Sequence, residues 1–179
     1  MILGIKDLQK LVKENKLVEN LCERELTNPE GAGYDLRLGE IYKLEGEGFL
    51  GIDERNTPEV ISIAKFNSSK EENFIFEPGK YYLIKTIEKI NLPNDISGII
   101  FPRTTLFRSG LALFNGVANP GYCGELTFGL CNLGKNIIKI SLGARVVHIT
   151  FQEISGEGNA YRGQWQGGRV STAGKEIQI

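Results

Sequence analysis

The chain has 179 residues, a length that fits one domain with its own hydrophobic core. Its 21 basic and 22 acidic residues leave a formal net charge of -1, which excludes a general attraction to nucleic acid or to anionic membranes. No apolar run approaches the roughly 20 residues of a membrane span, and no secretory signal is recognisable, so we expect a cytoplasmic protein without membrane or nucleic-acid partners. The three cysteines form no Cys-x-x-Cys pair, which argues against a disulfide framework and a zinc site.

One substantial helix is predicted near the start of the chain. Between Ile5 and Val18, apolar residues recur at helical spacing while charged residues take the other side. After this segment, short stretches rich in β-branched and aromatic residues alternate with glycine and proline, which predicts an antiparallel β architecture. The clearest strands are residues 73–76, 81–90, 98–101, 125–132, 137–140 and 145–154.

Two segments fall outside this strand pattern. Residues 45–72 are polar and irregular, and we expect a surface excursion that contains a hairpin. Residues 156–179 carry six glycines and few apolar residues, which indicates a mobile lid segment. The predicted fold is therefore mainly β: a single-domain, jelly-roll-like barrel over residues 1–155 with a short N-terminal helix.

An arginine-rich element follows the strand at residues 98–101. Arg103 and Arg108 stand close to Thr104 and Thr105, and guanidinium and hydroxyl groups donate hydrogen bonds to phosphate oxygens. The free N–H groups of a short helix at this point would add to an anion site. The same composition also fits a capped helix with solvated arginines, and both interpretations stay open on composition alone.

A glycine-punctuated hairpin is predicted at residues 116–126, which read Gly-Val-Ala-Asn-Pro-Gly-Tyr-Cys-Gly-Glu-Leu. Proline and glycine allow a tight excursion whose main chain faces the edge of a base. Tyr122 is placed to pack against a deoxyribose, where a ribose 2′-hydroxyl would clash. The alternative is an ordinary turn with a core tyrosine.

Taken in order, these segments resemble the motifs of the dUTPase and dCTP deaminase superfamily. Residues 31–39 are similar to its Ala-Gly-Tyr-Asp-Leu element, residues 102–111 to Arg-Ser-Ser-Leu-x-Arg-x-Gly-Leu, and residues 116–125 to Gly-Val-x-Asp-x-x-Tyr-x-Gly-Glu. Residues 143–149 resemble Gly-x-Arg-x-x-Gln-Leu, and residues 161–167 resemble the Tyr-Arg-Gly-x-Tyr-Gln-Gly pattern of archaeal-type dUTPases. The resemblance implies a dUTPase (β-clip) barrel and a homotrimer with active sites at subunit boundaries. It also implies Mg²⁺ bound mainly through a triphosphate, with no metal site formed by the protein itself.

The resemblance assigns the phosphates mainly to the arginine element. Arg108 would reach a phosphate or a catalytic group across a subunit boundary. His148 falls where a phosphate-contacting glutamine is common and would donate equally well, although a packed, hydrogen-bonded histidine also fits an apolar strand. The residues expected to hold phosphates directly are Arg103, Thr104 and Thr105.

The hairpin and the C-terminal segment would hold the rest of the nucleotide. By the resemblance, Tyr161 touches phosphate, Gln166 approaches the base or the phosphates, and later residues complete a lid. The alternative is a glycine-rich tail without function. The substrate-binding residues expected in these two segments are Gly116, Val117, Tyr122, Tyr161, Gln166, Arg169, Ser171 and Thr172.

Two residues depart from the family pattern. Asn119 fills the slot of an aspartate, and because an amide accepts no proton near neutral pH, general-base help of roughly 10²- to 10⁴-fold would be lost. Gly129 fills the slot of the glutamate that relays protons in dCTP deaminases, and a glycine supplies no acid or base. Zinc chemistry does not replace it, since the chain has one histidine and no Pro-Cys-x-x-Cys signature. Cytosine deamination is therefore disfavoured.

The leading hypothesis is a dUTP diphosphatase that converts dUTP and water to dUMP and pyrophosphate, weakened by Asn119. Its expected catalytic residues are Asn119, Arg108 and Asp35. Asp35 would support the hairpin or a metal-bound water, or would be a buried carboxylate satisfied by neighbouring N–H groups and Arg37. The alternatives are a dCTP deaminase-like enzyme of dUTP biosynthesis and a non-catalytic regulator that binds dUTP, dCTP or dTTP.

Overall fold

The computed structural model describes residues 1–156 and 158–178, and its architecture is mainly β. The helices are α1 (Ile5–Asn15), α2 (Glu23–Thr27) and α3 (Thr104–Arg108). The strands are β1 (Val18–Glu19), β2 (Tyr34–Glu45), β3 (Phe49–Leu50), β4 (Glu54–Asn56), β5 (Glu59–Lys65), β6 (Asn73–Phe76), β7 (Tyr81–Asn91), β8 (Ile96–Pro102), β9 (Leu111–Phe114), β10 (Cys123–Asn132), β11 (Ile138–Ser141), β12 (Arg145–Glu153) and β13 (Glu176–Ile177). Within the described part of the chain, none of the helices is both long and apolar enough to cross a membrane.

The predicted helix is confirmed, but it ends at Asn15 rather than at Val18. Lys16 adopts a left-handed backbone with φ 54°, and its N–H donates back to the Val12 carbonyl, which closes the last turn. Val18 then pairs with Ile90 of β7. The helical spacing of apolar residues continues to Val18, but pairing with β7 makes Val18 part of a strand instead.

Antiparallel pairing joins eight strands into one sheet in the order β8-β12-β2-β7-β10-β9, with β1 added to β7 and β5 added to β2. Strands β6 and β11 form a separate pair, and β13, β4 and β3 form a three-stranded sheet. The sheets enclose one hydrophobic core, in which Tyr34, Phe76 and Phe151 are among the largest fully buried side chains. This is the jelly-roll-like barrel that the sequence predicts.

All six predicted strands are present with ends shifted by at most a few residues, whereas β2 was missed. Nearly every residue from Tyr34 to Tyr42 is buried, so β2 lacks the alternation of a half-buried strand. The hairpin expected within residues 45–72 exists as β3 and β4. Residues 59–65 were wrongly assigned to a surface excursion, since β5 pairs with β2 in the main sheet.

Candidate functional site

Residues 116–126, predicted as a hairpin, form one wall of a cavity of about 400 Å³. The hairpin prediction is corrected: the two ends of the segment pair with β8 and β7 rather than with each other, so it is a loop around a turn at residues 119–122, for which we keep the name hairpin. The floor of the cavity is the face of the main sheet on which Leu83 and Thr127 lie, and its lining is mostly apolar. Aromatic residues of the hairpin and of the C-terminal segment both contribute to this lining. The hairpin residues in the lining are Gly116, Val117, Ala118, Asn119 and Tyr122, and those of the C-terminal segment are Tyr161, Trp165, Arg169 and Val170.

Backbone hydrogen bonds fix the hairpin on two sides. Ala118 exchanges N–H···O=C bonds of 2.9 Å with Gly98 of β8, and the Tyr122 carbonyl accepts a 2.9 Å bond from Leu92. The Asn119 side chain stays exposed at the cavity. It is therefore held at the mouth of an apolar pocket by a rigid backbone, and its amide is free to bind a water or a ligand hydroxyl.

Tyr122 presents its ring rather than its hydroxyl to the cavity. The side chain is buried, and the hydroxyl donates a 2.6 Å hydrogen bond to the Glu125 carbonyl. Burial raises the pKa of Tyr122 to about 12, so the phenol stays protonated at neutral pH. Its ring meets that of Tyr161 edge to face, with centroids 5.4 Å apart. The arrangement suits packing against a flat or puckered ring and leaves no role for Tyr122 in proton transfer.

The arginine element lies in a different part of the chain. Arg103 precedes α3 and lines a second cavity of about 710 Å³, together with Thr105, Lys139 and Arg145. Thr104 and Arg108 are exposed on α3 and line neither cavity. The cations expected to hold phosphates therefore do not meet the hairpin cavity of the same chain.

A cluster of charges surrounds Asp35, which is buried on β2. Its carboxylate accepts a 3.0 Å bond from Arg145 and a 2.8 Å bond from His148 Nδ1, and it also contacts Arg103. Burial lowers the pKa of His148, which favours the neutral ring with its proton on the nitrogen that faces Asp35. Because Asp35 lies among these cations and outside the hairpin lining, its contacts match the buried-carboxylate alternative rather than direct support of the hairpin.

A second buried carboxylate belongs to this cluster. Glu25 of α2 is almost fully buried, accepts a 3.0 Å bond from the Asp35 N–H and pairs with Arg24. Arg37, the partner predicted for Asp35, instead pairs with Glu88 of β7 at 2.6 Å, so that expectation is corrected. Arg103 is therefore held in a cluster in which Asp35 and Glu25 offset part of the charge of the arginines around them.

Gly129 lies beneath the ring of Tyr81. Gly129 is two residues beyond Thr127 on β10, so both face the same side of the sheet. A Cβ atom built on Gly129 would lie 2.1 Å from the Tyr81 hydroxyl oxygen and 2.8 Å from the ring carbon Cζ. Phe114 packs against the same tyrosine, with ring centroids 6.0 Å apart. A glutamate at position 129 therefore does not fit unless Tyr81 moves.

Sequence reasoning missed part of the lining. Thr57, Pro58 and Val60 reach the cavity from the segment assigned to a surface excursion, and no motif marks them. Thr127 also lines the cavity, and its Oγ1 is buried without a hydrogen-bond partner among the described residues. Conversely, Gln166, Ser171 and Thr172 were expected at the ligand but line neither cavity.

Comparison with known proteins places the chain in a family. A family model described as dCTP deaminase-like matches residues 2–154. A deoxyuridine 5′-triphosphate nucleotidohydrolase of Methanocaldococcus jannaschii is 33% identical over 151 residues, which cover 83% of this chain and 92% of that protein. A dUMP-forming dCTP deaminase of Dictyoglomus turgidum is 29% identical, with coverage of 87% of this chain and 81% of the relative.

Among solved structures, the 2′-deoxycytidine 5′-triphosphate deaminase from Agrobacterium tumefaciens superposes with a TM-score of 0.63 at 17% identity. The match covers 84% of this chain but 46% of that chain, so the likeness concerns the fold alone. The extent of the family match, together with the 33% identity to an archaeal relative, identifies the family. The chain belongs to the dCTP deaminase-like family.

Proposed function

We propose that the chain is a dUTP diphosphatase, which hydrolyses dUTP to dUMP and pyrophosphate. The observation that carries this choice is Gly129, which has no side chain to relay protons and lies under Tyr81. Relatives with both activities occur at similar identity, so the family alone does not separate hydrolysis from deamination. Because residue 129 offers no acid or base and lies against Tyr81, hydrolysis is favoured over deamination.

The hairpin cavity takes the nucleoside in this proposal. Its volume of about 400 Å³ and its apolar, aromatic lining suit a pyrimidine with a deoxyribose. The ring of Tyr122 packs against the sugar, and the Asn119 amide orients either the attacking water or the 3′-hydroxyl. Water attacks the α-phosphorus, the bond from that phosphorus to the bridging oxygen breaks, and pyrophosphate leaves with that oxygen.

The phosphates are bound by the arginine element of a second copy of the chain. Arg103 and Thr105 line a cavity distinct from that of the hairpin, which supports a shared site. We therefore include a homotrimer in the proposal, with Arg103, Thr104 and Thr105 of one subunit facing the hairpin of the next. Arg108 stabilises the charge that develops on the leaving phosphates. Asp35 acts as a positioning residue, since it holds Arg103 and Arg145 in place.

In this proposal Mg²⁺ is bound by the triphosphate of the substrate rather than by protein side chains. Among the described residues, no group of three or more His, Cys, Asp or Glu side chains is arranged to hold a metal ion. Phosphate oxygens are hard ligands that Mg²⁺ prefers, so the ion would arrive with the triphosphate and neutralise part of its charge. A cytoplasmic location is part of the same proposal.

A non-catalytic deoxynucleotide-binding regulator is the second candidate, and Asn119 favours it. An amide positions water but does not accept its proton. The pocket would then bind dUTP, dCTP or dTTP without turnover. Deamination of dCTP is disfavoured by Gly129, as described above.

Product analysis separates the three functions. The protein is incubated with Mg²⁺ and dUTP, dCTP or dTTP, while pyrophosphate and ammonia are quantified and binding is titrated by calorimetry. The proposal predicts pyrophosphate and dUMP from dUTP and no ammonia from dCTP. Tight binding without any product would support the regulator, whereas ammonia from dCTP would establish a deaminase.

A further inference from the structure

Two hydroxyl groups lie on the face of the sheet that forms the floor of the hairpin cavity. Thr127 belongs to β10, and Tyr81 belongs to the neighbouring strand β7. Gly129 is two residues beyond Thr127 and pairs with Leu83, which is itself two residues from Tyr81. Positions two apart on a strand, or directly opposite on a neighbouring strand, share one face, so all four residues lie on the same side of the sheet. Leu83 and Thr127 line the cavity, which opens this side to a ligand.

An irregularity in strand pairing precedes Thr127. From Glu125 to Thr127 the register advances by two residues on β10 but by four on β7, so β7 bulges at this point. The hydroxyl of Thr86, in the bulge, accepts a 3.0 Å hydrogen bond from the Leu126 N–H. Bulges bend a strand and re-aim side chains, often next to binding sites. The bulge therefore ends where the side chain of Thr127 meets the cavity.

The hydroxyl of Thr127 has no partner in the part of the chain that the structure describes. Its Oγ1 is buried and makes no hydrogen bond there. Lys85, directly opposite on β7, lies 3.4 Å from a carboxylate oxygen of Glu40 instead. Because no bond fixes the side-chain torsion of Thr127, rotation to another staggered position turns the hydroxyl toward an acceptor in the cavity. A buried hydroxyl without a partner is costly, so a ligand that supplies an acceptor gains affinity.

Tyr81 supplies the second hydroxyl. Its oxygen lies over Gly129, close to the point where a Cβ atom would stand, so only a residue without a side chain leaves room for it. One strand step of about 7 Å separates Gly129 from Thr127. Burial raises the pKa of Tyr81, and the phenol therefore keeps its proton at neutral pH and donates it. Tyr81 is nevertheless 44% exposed, so a ligand reaches it.

The edge of a pyrimidine suits two donors spaced along the floor. In the proposed function Asn119 holds a water or the 3′-hydroxyl at the cavity mouth and Tyr122 packs against the sugar, so the base is the part that extends to the floor. Uracil carries two carbonyl oxygens on either side of N3, and a carbonyl oxygen accepts hydrogen bonds from hydroxyl groups. The two hydroxyls on the floor match these two acceptors.

We propose that Thr127 and Tyr81 are specificity-determining residues, whose hydroxyls donate hydrogen bonds to the carbonyl oxygens of the pyrimidine. The proposal deepens the function proposed above and rests on it. Gly129 then has a second consequence, since the space that it leaves is filled by a neutral donor rather than by an acid or base. The pocket prefers a base with carbonyl oxygens over a base of the same shape that lacks hydrogen-bond acceptors.

Two nucleosides of nearly equal shape test this proposal. Deoxyuridine has both carbonyl oxygens, whereas 2,4-difluorophenyl deoxyriboside has fluorine atoms in their place, which are poor acceptors. Thr127→Val and Tyr81→Phe each remove one hydroxyl with little change of shape. In calorimetry, each variant is expected to raise the Kd of deoxyuridine about fivefold, as the loss of one hydrogen bond does, and to leave the Kd of the fluorinated nucleoside within about twofold. With dUTP, the KM should rise about fivefold and kcat should stay within about twofold.

Tyr82→Phe and Thr150→Val are the matched controls for the loss of a hydroxyl. Tyr82 is adjacent to Tyr81 but is buried in the core on the opposite face of β7. Thr150 lies on β12 and lines neither cavity. Both controls should bind deoxyuridine like the wild type. Thr127→Val should unfold at the wild-type temperature or above it, because its hydroxyl holds no described part of the fold, whereas a structural role would lower that temperature.

Equal losses for the two nucleosides, or wild-type affinity in both floor variants, would overturn the proposal. If the wild type turns over dUTP in that case, the proposed function stands without it. A wild type that releases no pyrophosphate, but whose affinity for deoxyuridine falls in the variants, would contradict the diphosphatase and support the base contacts. If deoxyuridine does not bind measurably, the KM for dUTP decides, and an unchanged KM in both variants would overturn the proposal.

Discussion

The hairpin cavity and the Asp35 cluster follow opposite physical principles. The cavity is apolar and aromatic, and residues of one chain form its wall, floor and lid. The cluster gathers arginines around Asp35 and Glu25, so its cations are already paired. Apolar surface binds a nucleoside mainly by burial, whereas paired cations bind a triphosphate well only when a fixed network orients them toward it. Nucleoside recognition and phosphate recognition therefore depend on different parts of this protein and are separable.

Removal of an arginine proposed to bind the phosphates should have the largest effect on activity. Arg103→Ala is expected to lower kcat/KM for dUTP by about 10³-fold, since an arginine at a transferring phosphoryl group contributes about 10³- to 10⁵-fold. Binding of deoxyuridine, which has no phosphates, should stay unchanged in calorimetry. Arg162→Ala is the control, because Arg162 is an exposed arginine outside both cavities. Equal losses for dUTP and deoxyuridine would show that the two regions are not separable.

The next effect concerns the chemistry at the cavity mouth. Asn119→Asp restores a group that accepts a proton and should raise kcat by about 10²-fold, the lower end of general-base catalysis. The KM should change little, because the hydrogen-bonding shape of the side chain is retained. Steady-state pyrophosphate release measures both constants. A variant no faster than the wild type would remove Asn119 from the reaction.

Removal of the central carboxylate should destabilise the cluster. Asp35→Asn is expected to lower the free energy of unfolding in urea by about 2 kcal/mol, because it removes the buried charge that accepts bonds from the half-buried Arg103 and Arg145. Glu30→Gln is the control: Glu30 pairs with Arg24 at 3.0 Å but is 79% exposed, and no measurable change is expected. If both variants unfold at the wild-type urea concentration, the network does not hold the arginines in place.

The packing of Tyr81 over Gly129 predicts a smaller loss. Gly129→Ala places a methyl group against the hydroxyl end of Tyr81, which is 44% exposed and able to turn outward, so the fold should lose only about 1 kcal/mol, the lower end of overpacking costs. Combined with Tyr81→Ala, the same substitution should cost less, because the space is vacated. Thermal unfolding of the single and double variants gives the coupling. Independent effects of the two substitutions would contradict the contact.

A change in ionic strength should have the smallest effect, and it should act on phosphate binding but not on nucleoside binding. Raising salt screens the attraction between cations and a triphosphate but leaves apolar burial nearly unchanged. The KM for dUTP should rise by about threefold between 0.05 and 0.5 M salt, while deoxyuridine affinity stays constant. A parallel weakening of both would show that charge also governs the hairpin cavity.

Local motifs predicted much of this molecule, and long-range pairing explains the rest. The turn at residues 119–122, the arginine element and the strands around them follow from turn residues and alternating patterns, whereas the hairpin expected at residues 116–126 is a loop between β8 and β7. Strand β2 was missed because it is buried along most of its length. The polar composition of residues 45–72 gives no sign that Thr57 binds Thr172 of the C-terminal segment. The partner of Asp35 was also wrong, since Arg37 binds Glu88 on a neighbouring strand, 51 residues away in sequence. Which residues meet across the sheet is decided by register, which no single motif records.

A crystal structure with Mg²⁺ and a non-hydrolysable dUTP analogue tests the central claim most directly. We predict the uracil and deoxyribose in the hairpin cavity of one subunit, and the triphosphate on Arg103 of the partner subunit. A base bound outside that cavity, or phosphates held by Arg103 of the subunit that binds the base, would contradict the account.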